Sequence, residues 1–270
     1  MKTSINEPTL LSDVDVARFI VNGYHITKPE YEKGLNELIA KQLDDLCENP
    51  GDAIIEAIPE LRQVLEDCIV RGVLISLLGK DYEVNPHRHW HCRTNGTGSM
   101  SWHQDSTNTR STELSCLLAL YYPRTVTADM GPTIIVPGTQ FRNAPTDRMV
   151  TYTNIRGQVP LVVKAGTVAF THYDIWHGTA ANNSGSDRHM IKFLFNRRST
   201  NSSPTWSHDP EMLTKPKDWN ARSGEDVNNI LSFSNPLNVS QSDHYKEQRI
   251  RQECWNHLMG TNAVGGKQTT

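Results

Sequence analysis

The spacing of apolar residues changes character about a third of the way along the chain. Leu35, Leu38, Ile39, Leu43 and Leu46 recur every three or four residues, the mark of a helix with one buried face. This spacing predicts a helix over 29–48, with Pro29 in the first turn, where its missing N–H costs nothing. Before it, Ser12 with Asp13 and Asp15 behind it reads as a helix start over 12–20, and Asn22-Gly23 breaks the pattern. A third helix is expected over 58–79, closing near Gly79. Residues 1–80 therefore read as mainly helical.

From 84 to 198 the runs become short and apolar or alternating: 84–93, 113–122, 132–137, 160–163, 167–172 and 188–195. Asn95-Gly96, Met130-Gly131-Pro132, Pro137-Gly138 and the stretch from Asn182 to Gly185 separate them as turns. Short strands at this spacing predict an antiparallel sandwich or barrel. Beyond residue 200 the chain turns polar and rich in Pro, Ser and Asn, with a helix expected at 241–259 and a frayed tail. The stretch 199–240 reads equally as a lid over a pocket or as an inert surface wrap. No internal repeat or strong linker interrupts the 270 residues, so one domain is the simplest reading.

Composition narrows the function. With 27 Lys+Arg against 30 Asp+Glu the formal charge is −3, which lacks the basic surplus that nucleic acid or an anionic membrane requires. No window approaches the roughly 18 apolar residues of a spanning helix, and acids occupy the place of a signal peptide's apolar stretch. The five cysteines are odd in number, widely spaced and without a CxxC pair, as in a reducing compartment. A cytoplasmic protein acting on a small molecule is expected, of a size that leaves its oligomeric state open.

Chemistry concentrates at Trp102-His103-Gln104-Asp105, followed by His177 and Arg188. On a strand, residues i and i+2 share a face, so His103 and Asp105 can offer a nitrogen and an oxygen to one point. A third ligand, His177, would arrive from a neighbouring strand. Two histidines and a carboxylate suit Fe(II) with open coordination positions. The tripeptide itself is weak evidence: with 11 His and 30 acids in 270 residues, about one His-x-acid is expected by chance. A second copy, His172-Tyr173-Asp174, serves as a control. Eleven residues after its candidate partners His208 and His244 stand Trp219 and Trp255, whereas eleven after His177 stands Arg188. A guanidinium there can grip a carboxylate through two parallel hydrogen bonds. Thr179 shares the face of His177 and can add a hydroxyl.

His87, His89, His91 and Arg93 fall on one face of an alternating stretch, opposite Arg88, Trp90 and Cys92. Three readings stand: a second metal site, such as one for zinc; a polar wall beside the iron, with His91 and Arg93 contacting cosubstrate or substrate; or a half-exposed strand with satisfied histidines. Tyr121, Tyr122 and Trp176 read as core or wall, His172 and Asp174 as a strand-end turn, and His189 as structural. Lys192 shares the parity of Arg188 and could reach the cosubstrate, but strand twist more often sends such a lysine to solvent. Arg197-Arg198 reads as a solvated pair.

These features together resemble the Fe(II)/2-oxoglutarate-dependent oxygenases, and among them the phytanoyl-CoA dioxygenase-like (PhyH) branch. The resemblance spans about 10–200. It rests on Asn22-Gly23-Tyr24, Leu77-Leu78-Gly79, Trp102-His103-Gln104-Asp105, Gly131-Pro132-Thr133, Val136-Pro137-Gly138-Thr139, Trp176-His177 and Arg188. Gln140 stands where members often carry His. The resemblance implies a double-stranded β-helix (jelly roll, cupin-like) in 84–198, behind a helical flank and before a polar extension over 199–270. It implies iron on His103, Asp105 and His177, and 2-oxoglutarate on Arg188 with help from Thr179. It implies consumption of O2 and release of succinate and CO2. The presence of Asp105, rather than a residue without a carboxylate, implies hydroxylation or another oxidation in place of halogenation.

The function expected is hydroxylation or demethylation of a small metabolite or natural product. Alternatives are a phytanoyl-CoA-type acyl-CoA hydroxylase, a jelly-roll binding protein without turnover, and a cupin-like metalloenzyme that uses no 2-oxoglutarate. The dispersed basic residues mark no CoA site. The intact set His103, Asp105, His177 and Arg188 speaks against lost turnover, and Arg188 against a chemistry without 2-oxoglutarate.

Overall fold

Ser12 opens the first helix through reciprocal bonds: its hydroxyl accepts the Asp15 N–H, and the Asp15 carboxylate accepts the Ser12 N–H. Helix α1 (Asp13–Asn22) then ends at Gly23, whose φ of 75° only glycine adopts cheaply. The computed structural model describes residues 7–105, 111–142, 154–212, 226–238 and 240–261.

Two helical expectations are corrected. Helix α2 (Leu35–Asp45) begins six residues after Pro29, because Gly34 at φ 91° turns the chain just before it. The expected helix over 58–79 is two helices, α4 (Leu61–Glu66) and α5 (Cys68–Leu78), with a short α3 (Ile54–Ala57) just before the span. Asp67 breaks it: its extended backbone stops α4, and its carboxylate caps α5 by accepting the Ile69 and Val70 N–H groups. The end at Gly79 is as predicted.

The strands are β1 (Tyr24–Thr27), β2 (Glu83–Arg93), β3 (Met100–His103), β4 (Cys116–Tyr122), β5 (Thr133–Val136), β6 (Val159–Pro160), β7 (Thr167–His172), β8 (Trp176–Thr179) and β9 (Arg188–Asn196). They form a five-stranded sheet, β1-β7-β4-β9-β2, and a four-stranded sheet, β3-β8-β5-β6, with antiparallel pairing throughout. The two sheets make the double-stranded β-helix. Strands β1, β3 and β8, each of four residues, escape periodicity analysis because four positions carry too little alternation.

The large sheet is covered on both faces, which explains why β4, β7 and β9 read as nearly continuous apolar runs. Its outer face, with Leu117, Tyr121, Phe170, Phe193 and Phe195, packs into one core with α1, α2 and α5. Its inner face, with Leu118, Leu120, Ala169, Met190 and Leu194, meets Ile135 and Leu161 near the small sheet. Parity on β9 thus decides which residues reach the interior: Arg188, Met190, Lys192 and Leu194 face the small sheet, and His189, Ile191, Phe193 and Phe195 face the helices.

Helix α7 (Gln241–Met259) lies where predicted, and α6 (Val227–Leu231) and α7 pack against α1. Buried Asp13 ties the preceding segment down by accepting from Trp206 Nε1 (2.7 Å), the His208 ring (2.7 Å) and the Asp209 N–H (2.8 Å). Trp206, His208 and Asp209 are thus held against α1, while 213–225, 239 and the tail 262–270 lie outside the described residues. Arg197 is not solvated: it donates to the Leu114 and Leu77 carbonyls at 2.9 and 2.6 Å, while exposed Arg198 faces Glu83. No described helix is long and apolar enough to cross a membrane.

Candidate active site

Strands β3 and β8 pair so that His103 and His177 stand directly opposite each other. Their ring centroids are 4.1 Å apart. Asp105 does not lie on the strand as expected but two residues past its end, where the chain still returns its carboxylate to the same point. Asp105 Oδ1 is 3.6 Å from His103 Nε2 and 3.7 Å from His177 Nε2. The three ligand atoms lie within 4.8 Å of one another, a spacing a metal ion can occupy.

The rings are set for that task. His103 Nδ1 faces the Ser101 carbonyl and His177 Nδ1 the Ile175 carbonyl, both at 3.1 Å. A carbonyl only accepts, so Nδ1 carries the proton when either ring is neutral, and Nε2 is then the nitrogen left to meet a metal beside Asp105. The intervening Gln104 is buried and donates to the Arg142 carbonyl (2.9 Å) and the Asp174 carbonyl (2.7 Å), fixing the backbone between His103 and Asp105. Burial pushes the Asp105 carboxyl up, but His177, Lys192 and His103 outweigh it and hold the group below the usual carboxylate range.

The site opens into a cavity of about 530 Å³ between the two sheets, a volume typical of small-molecule pockets. Arg188 lies in its wall, 2% exposed, and its Nε and Nη1 are buried without a hydrogen-bond partner among the described residues. Burial lowers the pKa of this guanidinium from its ordinary value. A buried cation with orphaned donors lacks its acceptor, and a ligand carboxylate supplies one. Thr179, buried on β8, lines the same cavity. So does His91, whose Nε2 is buried without a partner; burial, with Lys192, His89 and Arg188 nearby, pushes its pKa down to about 4, so it is neutral near pH 7. The donor set thus fits both an iron(II) ion and a dicarboxylate cosubstrate.

His87, His89, His91 and Arg93 all face the cavity, as the alternation predicts, while Arg88, on the other face, donates to Asp52 and faces Glu56. His87 and His89 touch through their Nε2 atoms at 2.7 Å, and Asp52, 3.3 Å from His87, also accepts the Arg88 N–H. The trio Asp52, His87 and His89 also brings its ligand atoms within 4.8 Å of one another, at a more exposed position than His103, Asp105 and His177. On β2 and β9, Arg93 is the cross-strand partner of Arg188, and His89 that of Lys192.

Lys192 corrects its expectation. It turns into the cavity and donates to Asp105 Oδ2 at 2.9 Å. Its parity with Arg188 was the available signal; only the second sheet over this face denies it solvent. His172 is buried at the end of β7, and its Nδ1 accepts the Asp174 N–H, as a strand-end turn predicts. His189 bridges Trp90 Nε1 (3.1 Å) and Asp44 (2.9 Å) on the helix side. Trp176 packs on Trp102, and Tyr121 and Tyr122 are buried. Gln140 donates to the Ile20 carbonyl at 2.7 Å, fastening α1 to the turn after β5.

The family model for phytanoyl-CoA dioxygenase (PhyH) matches residues 40–190, more than half of the chain. No curated protein sequence matches it. Among solved structures, HygX from Streptomyces hygroscopicus with nickel and 2-oxoglutarate bound is 14% identical, covering 70% of this chain and 88% of its own, with a TM-score of 0.57. The carbocyclase SnoK from nogalamycin biosynthesis is 22% identical over 78% of this chain and 94% of its own, at 0.55. The epimerase SnoN, in complex with Fe3+, alpha ketoglutarate and nogalamycin RO, is 17% identical over 67% and 82%, also at 0.55. These likenesses are of fold.

Proposed function

The chain belongs to the phytanoyl-CoA dioxygenase (PhyH) family of iron(II)- and 2-oxoglutarate-dependent oxygenases, and on that premise we propose that it hydroxylates or demethylates a small anionic or zwitterionic metabolite or natural product. In this reading His103, Asp105 and His177 hold the iron, and Arg188, Thr179 and His91 hold 2-oxoglutarate. One observation carries it: Nε2, Nε2 and Oδ1 converge in the same cavity that contains the orphaned Arg188 guanidinium. When bound, iron(II) with 2-oxoglutarate and O2 supplies the oxidising chemistry and releases succinate and CO2.

The residues contribute position, charge and exclusion of water. The Nδ1–H bonds of His103 and His177 to their own backbone keep both lone pairs aimed inward. Arg188 anchors a carboxylate within the cavity, and the buried apolar wall of Leu118, Leu120, Ile135 and Met190 limits water around the reacting groups.

Charge supports the substrate class. Among the described residues, the cavity wall carries Arg93, Arg188 and Lys192 against the one carboxylate of Asp105. The opposite charges of iron(II) and 2-oxoglutarate cancel, so a positive surplus remains for the substrate to meet. Arg93 and Arg188, directly opposite across β2 and β9, repel each other unless anions lie between them. HygX has been solved with hygromycin B bound, and the other structures this chain resembles include a carbocyclase and an epimerase, so the scaffold alone selects neither substrate nor outcome.

Anaerobic titration of the metal-free protein with Fe(II) and then 2-oxoglutarate tests the reading. A weak visible charge-transfer band that develops with 2-oxoglutarate is expected. Tight metal binding without it would point to a metalloenzyme that uses another cosubstrate, and no metal binding to a binding protein. Arg93→Ala is expected to raise the substrate KM much more than the 2-oxoglutarate KM; equal rises would move Arg93 to the cosubstrate.

A further inference from the structure

The two oxygens of Asp105 have different partners. Oδ1 faces both histidine Nε2 atoms, at 3.6 and 3.7 Å, while Oδ2 accepts from Lys192 Nζ at 2.9 Å. Both side chains are largely buried, Lys192 at 17% exposure and Asp105 at 15%, so water competes weakly for that bond. Lys192 is itself fixed from behind: it lies in the middle of β9, paired with His89 on β2 and Leu120 on β4. A carboxylate that swings both oxygens onto a six-coordinate ion fills four of its positions together with two histidines, leaving two. One that offers a single oxygen leaves three, the number a chelating cosubstrate and O2 need together. Asp105 follows a strand end instead of sitting within it, so the backbone ladder does not choose between these states.

We propose that Lys192 is a positioning residue that reserves Oδ2 of Asp105 and so restricts this carboxylate to one oxygen toward the metal. The inference rests on the assignment of His103, Asp105 and His177 as metal ligands. It goes beyond that assignment by giving a task to a residue that is neither ligand nor cosubstrate anchor. Lys192 also brings a positive charge toward the metal, so the pair exchanges some metal affinity for an open coordination position.

Water proton relaxation of the Mn(II)-loaded protein, measured without 2-oxoglutarate, counts the waters on the metal. Relaxivity of the wild-type protein is expected to be about one and a half times that of Lys192→Met, three waters against two on a six-coordinate ion. Lys192→Arg, which keeps a donor for Oδ2, is expected to restore the wild-type value. Melting temperatures of the three proteins separate this effect from a general loss of structure; should Lys192→Met fail to fold, Lys192→Leu, which likewise has no donor, takes its place. Equal relaxivity in wild type and a folded, Mn(II)-saturated variant would overturn the proposal, as would a wild-type protein that carries only two waters. Failure of the wild-type protein to bind Mn(II) would instead overturn the ligand assignment on which the proposal stands. Because 2-oxoglutarate is absent, the outcome does not depend on Arg188.

Discussion

The chain contains two His-x-Asp tripeptides that sequence alone barely separates, and the fold sends them to opposite fates. His103 lies on β3 opposite His177, with Nδ1 against a carbonyl and Nε2 turned toward Asp105. His172 ends β7 beneath Phe141, and its Nδ1 accepts the N–H of Asp174. When neutral, the first ring therefore bears its proton on Nδ1 and offers Nε2 as a ligand, while the second bears it on Nε2 and offers nothing. Burial pushes the pKa of His172 down to about 4, which keeps that ring neutral near pH 7. The two are also joined, since Gln104 of the first donates to the Asp174 carbonyl of the second. A shared tripeptide thus acquires chemistry from the atom that meets Nδ1, a detail of the backbone and not of the motif.

The largest effect expected tests the contrast outright. Asp105→Ala should abolish stoichiometric Fe(II) retention at little cost to the fold, whereas His172→Ala should keep the metal and lose roughly 2 kcal/mol or more of stability in urea unfolding. Metal loss in the second variant, or full retention in the first, would reverse the assignment. Next is a pH dependence belonging to the structural tripeptide. Above pH 6.5 His172 is neutral in both states; as pH falls toward 4 the unfolded chain takes up a proton that the native chain refuses. Stability is therefore lost on acidification, by up to about 3 kcal/mol from this group. Urea titrations of the metal-free protein at pH 7 and 4.5 should show a shallower decline in His172→Gln.

Arg188→Ala should raise the 2-oxoglutarate Kd roughly ten- to a hundredfold, equivalent to about 1.5–3 kcal/mol for a charge-assisted contact. Isothermal titration of the Fe(II)- or Mn(II)-loaded protein checks it, and a value within a factor of two of wild type would place the carboxylate anchor elsewhere. The smallest effect is expected at the link between the tripeptides. Gln104→Leu leaves all three ligands in place but releases the backbone between two of them, and should cost about 1 kcal/mol in Fe(II) affinity.

Much of the fold was legible where one physical cause dominates. Ser12 and Asp15 form a cap from local chemistry, α7 keeps its predicted bounds, and β2, β7 and β9 stand close to where alternating or apolar runs placed them. The misreadings arose where a competing contact won. Asp67 caps α5 and so splits the expected helix, Gly34 delays α2, and Arg197 finds two carbonyls in place of solvent. The candidate site was legible as a set, through Trp102-His103-Gln104-Asp105, His177 and the eleven-residue step to Arg188, because strand parity is a local property.

What the sequence determined by itself was which side chains could share a face: His87, His89, His91 and Arg93 on β2, and Arg188 with Lys192 on β9. What only the tertiary structure decided was what lies across from each face. The small sheet closes over β9, so Lys192 meets Asp105 and not water, and β3 aligns with β8 so that His103 finds His177. The reason is physical: periodicity follows from the geometry of one strand, whereas hydrogen-bond partners and burial follow from which distant strands the packing of two sheets brings together.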